Sequence, residues 1–187
     1  MPRICVFCGS SSGLDPAYSR ATIELAEEIA RRGWDLVYGG AHVGLMGLVA
    51  DTVLAAGREA IGVMPRDMVQ REIAHTRLTK LHIVDSMHER KALMADLADG
   101  FVTLPGAYGT LDELCEILTW AQLEIHHKPI GLINVNGYWD PFLAMLDHSA
   151  REGFLKTKNR ALLLEASNAA ELLSKFFKSD PPVTVAR

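Results

Sequence analysis

The sequence predicts a Rossmann-like α/β fold, a doubly wound parallel sheet with helices on both faces. Three observations predict it. Short apolar runs alternate with amphipathic segments from end to end, the pattern that stacks helices across a parallel sheet. Glycine-rich turns follow several of the apolar runs, and in such sheets ligands bind beyond the carboxyl ends of the strands. The 187 residues are 49% hydrophobic and 22% charged, which suits a single domain over residues 1–187 with a sizeable core.

Taken in order, residues 3–8 read as a strand, followed by the loop Gly9-Ser10-Ser11-Ser12-Gly13. Asp15 is an N-cap with Pro16 at the first helical position, opening a helix that Gly33 stops. Residues 34–38 form the second strand, which ends in Gly39-Gly40-Ala41-His42-Val43-Gly44. A helix over residues 45–56 stops at Gly57, and residues 59–64 form a third strand halted by Pro65. Residues 66–80 are polar and carry no assignment; residues 81–84 are a short strand. Ser86 opens a helix to about residue 98. Residues 100–104 are the central strand, and Leu111, Leu114, Ile117, Leu118 and Ala121 give the next helix its apolar stripe. A strand over 129–134 and helices over 141–152 and 169–178 complete the domain, with residues 179–187 a frayed tail.

Bulk properties exclude several function classes. A formal charge of −4 leaves no basic footprint for nucleic acid. No apolar run reaches membrane-spanning length, and the N-terminus enters a strand without a signal peptide, so a cytoplasmic protein is expected. Three cysteines suit a reducing compartment. Cys5 and Cys8 form a C-x-x-C, but residues three apart on a strand face opposite ways, so both are expected in the core. The seven histidines show no metal spacing, and no metal site is expected. Neither a complete G-x-G-x-x-G nor a P-loop is present: residues 9–13 and 39–44 lack the required glycines, and Leu45-Met46 replaces the P-loop Lys and Ser/Thr.

The stretch Pro105-Gly106-Ala107-Tyr108-Gly109-Thr110-Leu111-Asp112-Glu113 carries the chemistry. A glycine-rich turn between a strand and a helix leaves backbone N–H groups unpaired at the positive end of a helix dipole, which suits a phosphate. Glu113 lies one turn inside, and an acid beside an anion site needs a reason. Thr110 with Glu113, and Ser86 with Glu89, both read as capping boxes. Arg90 and Lys91 stand near a helix N-terminus, where a cation is disfavoured by ~0.3–1 kcal/mol. On the dipole alone, Arg90 costs the ligand-free fold, so an anionic ligand between this helix and the Gly106–Thr110 turn is expected.

Together these residues resemble the LONELY GUY family of cytokinin riboside 5′-monophosphate phosphoribohydrolases. The family hallmark P-G-G-x-G-T-x-x-E is matched by residues 105–113, and its upstream arginine by Arg90 in Glu89-Arg90-Lys91. Residues 39–47, Trp120-Ala121-Gln122-Leu123 and Lys128-Pro129-Ile130-Gly131 also match. Ala107 and Ala41 stand where the family has glycine; a positive φ at Ala107 would strain the backbone, and its methyl would crowd a phosphate.

The resemblance implies hydrolysis of the N-glycosidic bond of a nucleoside 5′-monophosphate to free base and ribose 5-phosphate. It implies Arg90 and Glu113 as catalytic residues. It implies Glu72, Lys91, Gly106, Ala107, Tyr108, Gly109, Thr110, Asp112 and Thr119 as substrate contacts. It further implies no cofactor and a homodimer. Two other readings are a molybdenum-cofactor (phosphorylated pterin) carrier without turnover and a lysine decarboxylase, which would need pyridoxal phosphate on a lysine.

Overall fold

The computed structural model describes residues 1–70 and 73–177. Glu72 and the tail expected at 179–187 lie outside the described residues. In chain order the elements are β1 (Arg3–Phe7), α1 (Pro16–Arg31), β2 (Asp35–Tyr38), α2 (Gly44–Ala55), β3 (Ala60–Pro65) and α3 (Arg66–Gln70). They continue with β4 (Lys80–Val84), α4 (Met87–Leu97), β5 (Gly100–Thr103), α5 (Tyr108–Gln122), β6 (Ile130–Ile133) and a 3₁₀ turn at Val135–Gly137. The described chain closes with α6 (Asp140–Arg151), α7 (Thr157–Arg160), β7 (Leu163–Ala166) and α8 (Ala169–Ser174).

All seven strands are parallel, in the order β4-β3-β2-β1-β5-β6-β7. The chain winds outward from β1 to β4, crosses back to β5 beside β1, and winds outward again. The reversal leaves a crevice beyond the carboxyl ends of β1 and β5, where doubly wound folds place their ligands.

The strands read as continuous apolar runs because both faces are covered. On one face Ile4, Val6 and Cys8 pack with Leu25 and Ile29 of α1, Val49 and Val53 of α2, and Leu172 of α8. On the other, Cys5 and Phe7 pack with Met94 of α4, Leu114 and Ile117 of α5, and Leu143 of α6. The two C-x-x-C thiols therefore sit on opposite sides of the sheet, both buried and free, with burial pushing each thiol above its ordinary range. The Asp15 cap forms as expected: its carboxylate accepts from the Ala17 N–H at 2.8 Å.

Three short elements were not anticipated. Helix α3 starts directly after Pro65 inside the unassigned polar stretch, and α7 is a single turn. Strand β7 is an edge strand of four residues, Leu-Leu-Glu-Ala, whose composition carries little β preference; pairing with β6 holds it. Among the described residues no helix is long and apolar enough to cross a membrane, and no group of His, Cys, Asp and Glu could hold a metal ion.

Candidate active site

Three strand-end turns converge on the crevice. The Gly9 N–H donates to the Pro105 carbonyl at 3.0 Å, and the Leu45 N–H donates to the Gly9 carbonyl at 3.1 Å. The first loop is thereby tied to the turns after β5 and β2. Gly44, at φ 55°, lies against the backbone of Ser10, where a side chain would collide. Around this junction is a cavity of about 300 Å³, whose wall includes Ser10, Tyr18, Met46, Gly106, Glu113 and Tyr138.

The hallmark turn forms one wall, with Gly106, Ala107, Gly109 and Thr110 all lining the cavity. Helix α5 begins at Tyr108 with Ala107 as its N-cap, three residues before the first expected helical position. Its first N–H groups therefore have no intrahelical partner. Ala107 adopts φ −113°, ψ −143°, so the strain expected of a left-handed alanine is absent. Gly106 is required for space: a Cβ there would meet Thr110 Oγ1 and stand 2.9 Å from the Gly9 nitrogen. Ala41 is equally unstrained, since Gly40 takes the positive φ (83°).

The expected Thr110–Glu113 capping box is not formed. Thr110 lies inside the first turn, no side chain caps α5, and both residues are buried. The S-x-x-E spacing is satisfied one turn too late to act as a cap. The Ser86–Glu89 device does form: Ser86 Oγ accepts from the Glu89 N–H at 3.1 Å. The Glu89 carboxylate reaches one residue further back, accepting from the Asp85 N–H at 2.8 Å.

Glu113, freed from capping, has a different partner. Its Oε1 is 2.9 Å from Arg90 Nη1, with Glu113 9% and Arg90 7% exposed. Arg90 Nε donates to the Val63 carbonyl at 3.1 Å, and Nη2 lies directly over Gly39, where any Cβ would displace it. Arg90 thus stands behind Glu113 and presses on it, while Glu113 itself lines the cavity. Burial pushes the Glu113 carboxyl above its ordinary range, and the Arg90 guanidinium offsets part of that rise.

Adjacent residues on a helix point about 100° apart, and the Arg90-Lys91 pair divides accordingly. Lys91 Nζ sits 3.0 Å from both Asp112 and Glu116, bridging α4 to the outer side of α5. Burial pulls its ammonium down, but the two carboxylates outweigh this and hold it above its ordinary value. Tyr108 is exposed at the start of α5. Thr119 donates to the Cys115 carbonyl at 2.7 Å and lines a separate groove with Leu118, Phe142 and Leu146. The chain leaving the Glu72 region is pinned to the second turn: His42 N–H donates to the Ile73 carbonyl at 3.0 Å, and His75 N–H to the Gly40 carbonyl at 2.8 Å.

The sequence reading missed two aromatic walls. Tyr18 and Tyr138 meet edge to face at 5.6 Å, both lining the cavity, and the Tyr138 hydroxyl donates to the Gly106 carbonyl at 2.6 Å. The available signal was the Asn136-Gly137 pair, a turn dipeptide that reverses the chain just before Tyr138.

Residues 46–176 match a family described as possible lysine decarboxylase. The cytokinin riboside 5′-monophosphate phosphoribohydrolase LOG of Oryza sativa subsp. japonica is 48% identical over 183 residues, covering 98% of this chain and 76% of that protein. The Arabidopsis thaliana phosphoribohydrolase LOG7 is 49% identical over 179 residues, covering 96% and 82%. The chain belongs to the LONELY GUY (LOG) family. Among solved structures, a molybdenum cofactor binding protein from Rippkaea orientalis superimposes with a TM-score of 0.69 over 92% of this chain at 18% identity. A Moco carrier protein from Chlamydomonas reinhardtii gives 0.68 over 94% at 21% identity. These two share the fold with the LOG-family chain, and at such identity the likeness speaks of fold alone.

Proposed function

We propose that this LOG-family protein hydrolyses the N-glycosidic bond of a nucleoside 5′-monophosphate, releasing free base and ribose 5-phosphate. The observation that carries the reading is the buried Glu113 carboxylate on the cavity wall, one turn inside the helix whose N-cap Ala107 and first-turn residues Gly109 and Thr110 line the same cavity. Its support from relatives is the near-half identity to enzymes of that activity.

The turn amides of residues 107–110 and the Thr110 hydroxyl hold the phosphate at the α5 dipole. The ribose is then set against Glu113. As the C–N bond breaks, positive charge grows on the sugar ring, and a fixed, buried carboxylate stabilises it. The same carboxylate accepts a proton from the water that adds to the ring carbon, and the base leaves with the bonding pair and takes up a proton. Arg90 favours the ionised form of Glu113 against the effect of burial and aims the carboxylate. Lys91 and Asp112 act through their bridge between α4 and α5, Tyr108 from the rim of the turn. No metal or organic cofactor enters this chemistry. Among the described residues lining the cavity none is a lysine, so the cavity offers no amine for pyridoxal phosphate.

We further propose a homodimer, as the family resemblance implies. Leu123 and Ile125 after α5, Met145 on α6 and Phe154 beyond it are exposed apolar side chains that a second copy would cover. Thr119, in the groove between α5 and α6, then meets a ligand only from the neighbouring subunit, and the resemblance makes Glu72 a further ligand contact.

Incubating the protein with AMP and with adenosine tests the reading. AMP is expected to give free adenine and ribose 5-phosphate far faster than adenosine gives adenine, because phosphate binding orients the reacting centre. Equal rates would remove the phosphate site; AMP bound without base release would make the protein a carrier.

A further inference from the structure

We infer that Tyr138 is a positioning residue for the phosphate turn, fixing the peptide that supplies the first N–H at the head of α5. The inference rests on the nucleotide reading of the cavity and adds a residue from outside the hallmark.

The Gly106 carbonyl and the Ala107 N–H belong to one planar peptide unit. Whatever fixes the carbonyl therefore fixes where the N–H points. The Tyr138 hydroxyl donates to that carbonyl at 2.6 Å, at the short end for an O–H···O bond. A carbonyl that accepts a strong hydrogen bond also makes the N–H of its own peptide a better donor. Without this contact the unit is free to swing, because glycine on one side makes peptide rotation cheap. The preceding carbonyl, that of Pro105, is already held by the Gly9 N–H. Tyr138 supplies the second fixed point of the turn.

The segment around Tyr138 is over-determined, as a device for positioning requires. Asn136 is one of two non-glycine residues with positive φ (51°) among the described residues. Its Nδ2 donates to Asp15 Oδ2 at 2.9 Å, the same carboxylate whose other oxygen caps α1. Asn134 Oδ1 accepts from the Trp139 N–H at 2.9 Å, and Asn134 Nδ2 donates to Asp140 Oδ1 at 2.7 Å. The Tyr138 ring is wedged edge-on between Tyr18 at 5.6 Å and Trp139 at 5.0 Å. A left-handed asparagine persists only where its surroundings hold it, and such residues cluster at ligand sites. Here the hold delivers a hydroxyl to the turn after β5 from a loop after β6.

Tyr138→Phe removes the hydroxyl and keeps the ring. We expect KM for AMP to rise about tenfold, equivalent to ~1.4 kcal/mol, with kcat changed less than threefold and the melting temperature within about 2 °C. The Ala107 amide ¹⁵N resonance is expected to shift upfield in the ligand-free variant. A lowered melting temperature with unchanged KM would make Tyr138 a structural prop and overturn the inference. If the wild-type protein releases no base from AMP, the nucleotide reading fails by itself, and titration with inorganic phosphate decides about Tyr138. Perturbation of the Ala107–Thr110 amides at several-fold lower affinity in Tyr138→Phe supports it; equal affinity, or no response in the wild type, overturns it.

Discussion

Replacing Arg90 by alanine separates two physical arguments that give opposite signs. By the helix dipole alone, the change removes a cation from an unfavourable position and stabilises the ligand-free protein by ~0.3–1 kcal/mol. The structure adds a larger effect. Arg90 is the buried partner of a buried Glu113, and truncating one member of such a pair costs ~3–5 kcal/mol by leaving the other charge uncompensated. The Val63 carbonyl also loses its side-chain donor. The net is a loss of about 2–5 kcal/mol, or a melting temperature lower by roughly 4–20 °C for a domain of this size. The deficit should shrink at acid pH. Glu113 is already held above its ordinary carboxyl range by burial, and losing Arg90 raises it further. A folded-state value above the unfolded one gives stability that is present at low pH and is lost as pH rises through the folded value. Calorimetric melts at neutral and mildly acid pH check both statements. The double variant Arg90→Ala/Glu113→Gln should regain much of the loss, because no buried charge is then left alone. An Arg90→Ala protein melting at or above wild type at neutral pH would refute the buried-pair argument and restore the dipole one.

Two further outcomes follow from the same geometry. Gly39→Ala places a methyl where the Arg90 guanidinium lies and 2.6 Å from the Met46 terminal carbon. It should cost ~1–3 kcal/mol of stability by overpacking and at least about tenfold in kcat/KM by pushing Arg90 off Glu113; wild-type turnover of AMP would show that the pair is not needed in this register. The acid limb of kcat/KM against pH should lie above the ordinary carboxylate range, because Glu113 must be ionised and burial raises its value; a limb inside the ordinary range would point to a different, solvated carboxylate.

What the sequence disclosed depended on how local the signal was. The alternation of strands and helices, the Asp15 and Ser86 caps and the opposite facing of Cys5 and Cys8 are set by nearby residues, and all were legible. Strand β7 was not, because only its partner β6 makes it a strand. The S-x-x-E at Thr110 and Glu113 misled because the same spacing serves a helix interior as well as a helix start. Arg90 and Lys91 read as one cationic pair, yet their side chains diverge, one inward to Glu113 and one outward to Asp112 and Glu116. Tyr138 reaches Gly106 across 32 residues of sequence, a contact no local pattern encodes. No residue of the hallmark turn takes a positive φ, and Ala107 itself stands at φ −113°, which explains how alanine is accommodated there.

The central claim is that Glu113 performs the chemistry on a nucleotide held by the turn before it. Single-turnover release of adenine from AMP by Glu113→Gln tests it most directly, with Glu89→Gln as the matched control on a carboxylate that accepts from the Asp85 N–H. The account predicts a rate lower by at least ~10²-fold for Glu113→Gln, the usual loss for a positioned acid–base group, and a near-wild-type rate for Glu89→Gln. Adenine released by Glu113→Gln at the wild-type rate would contradict it.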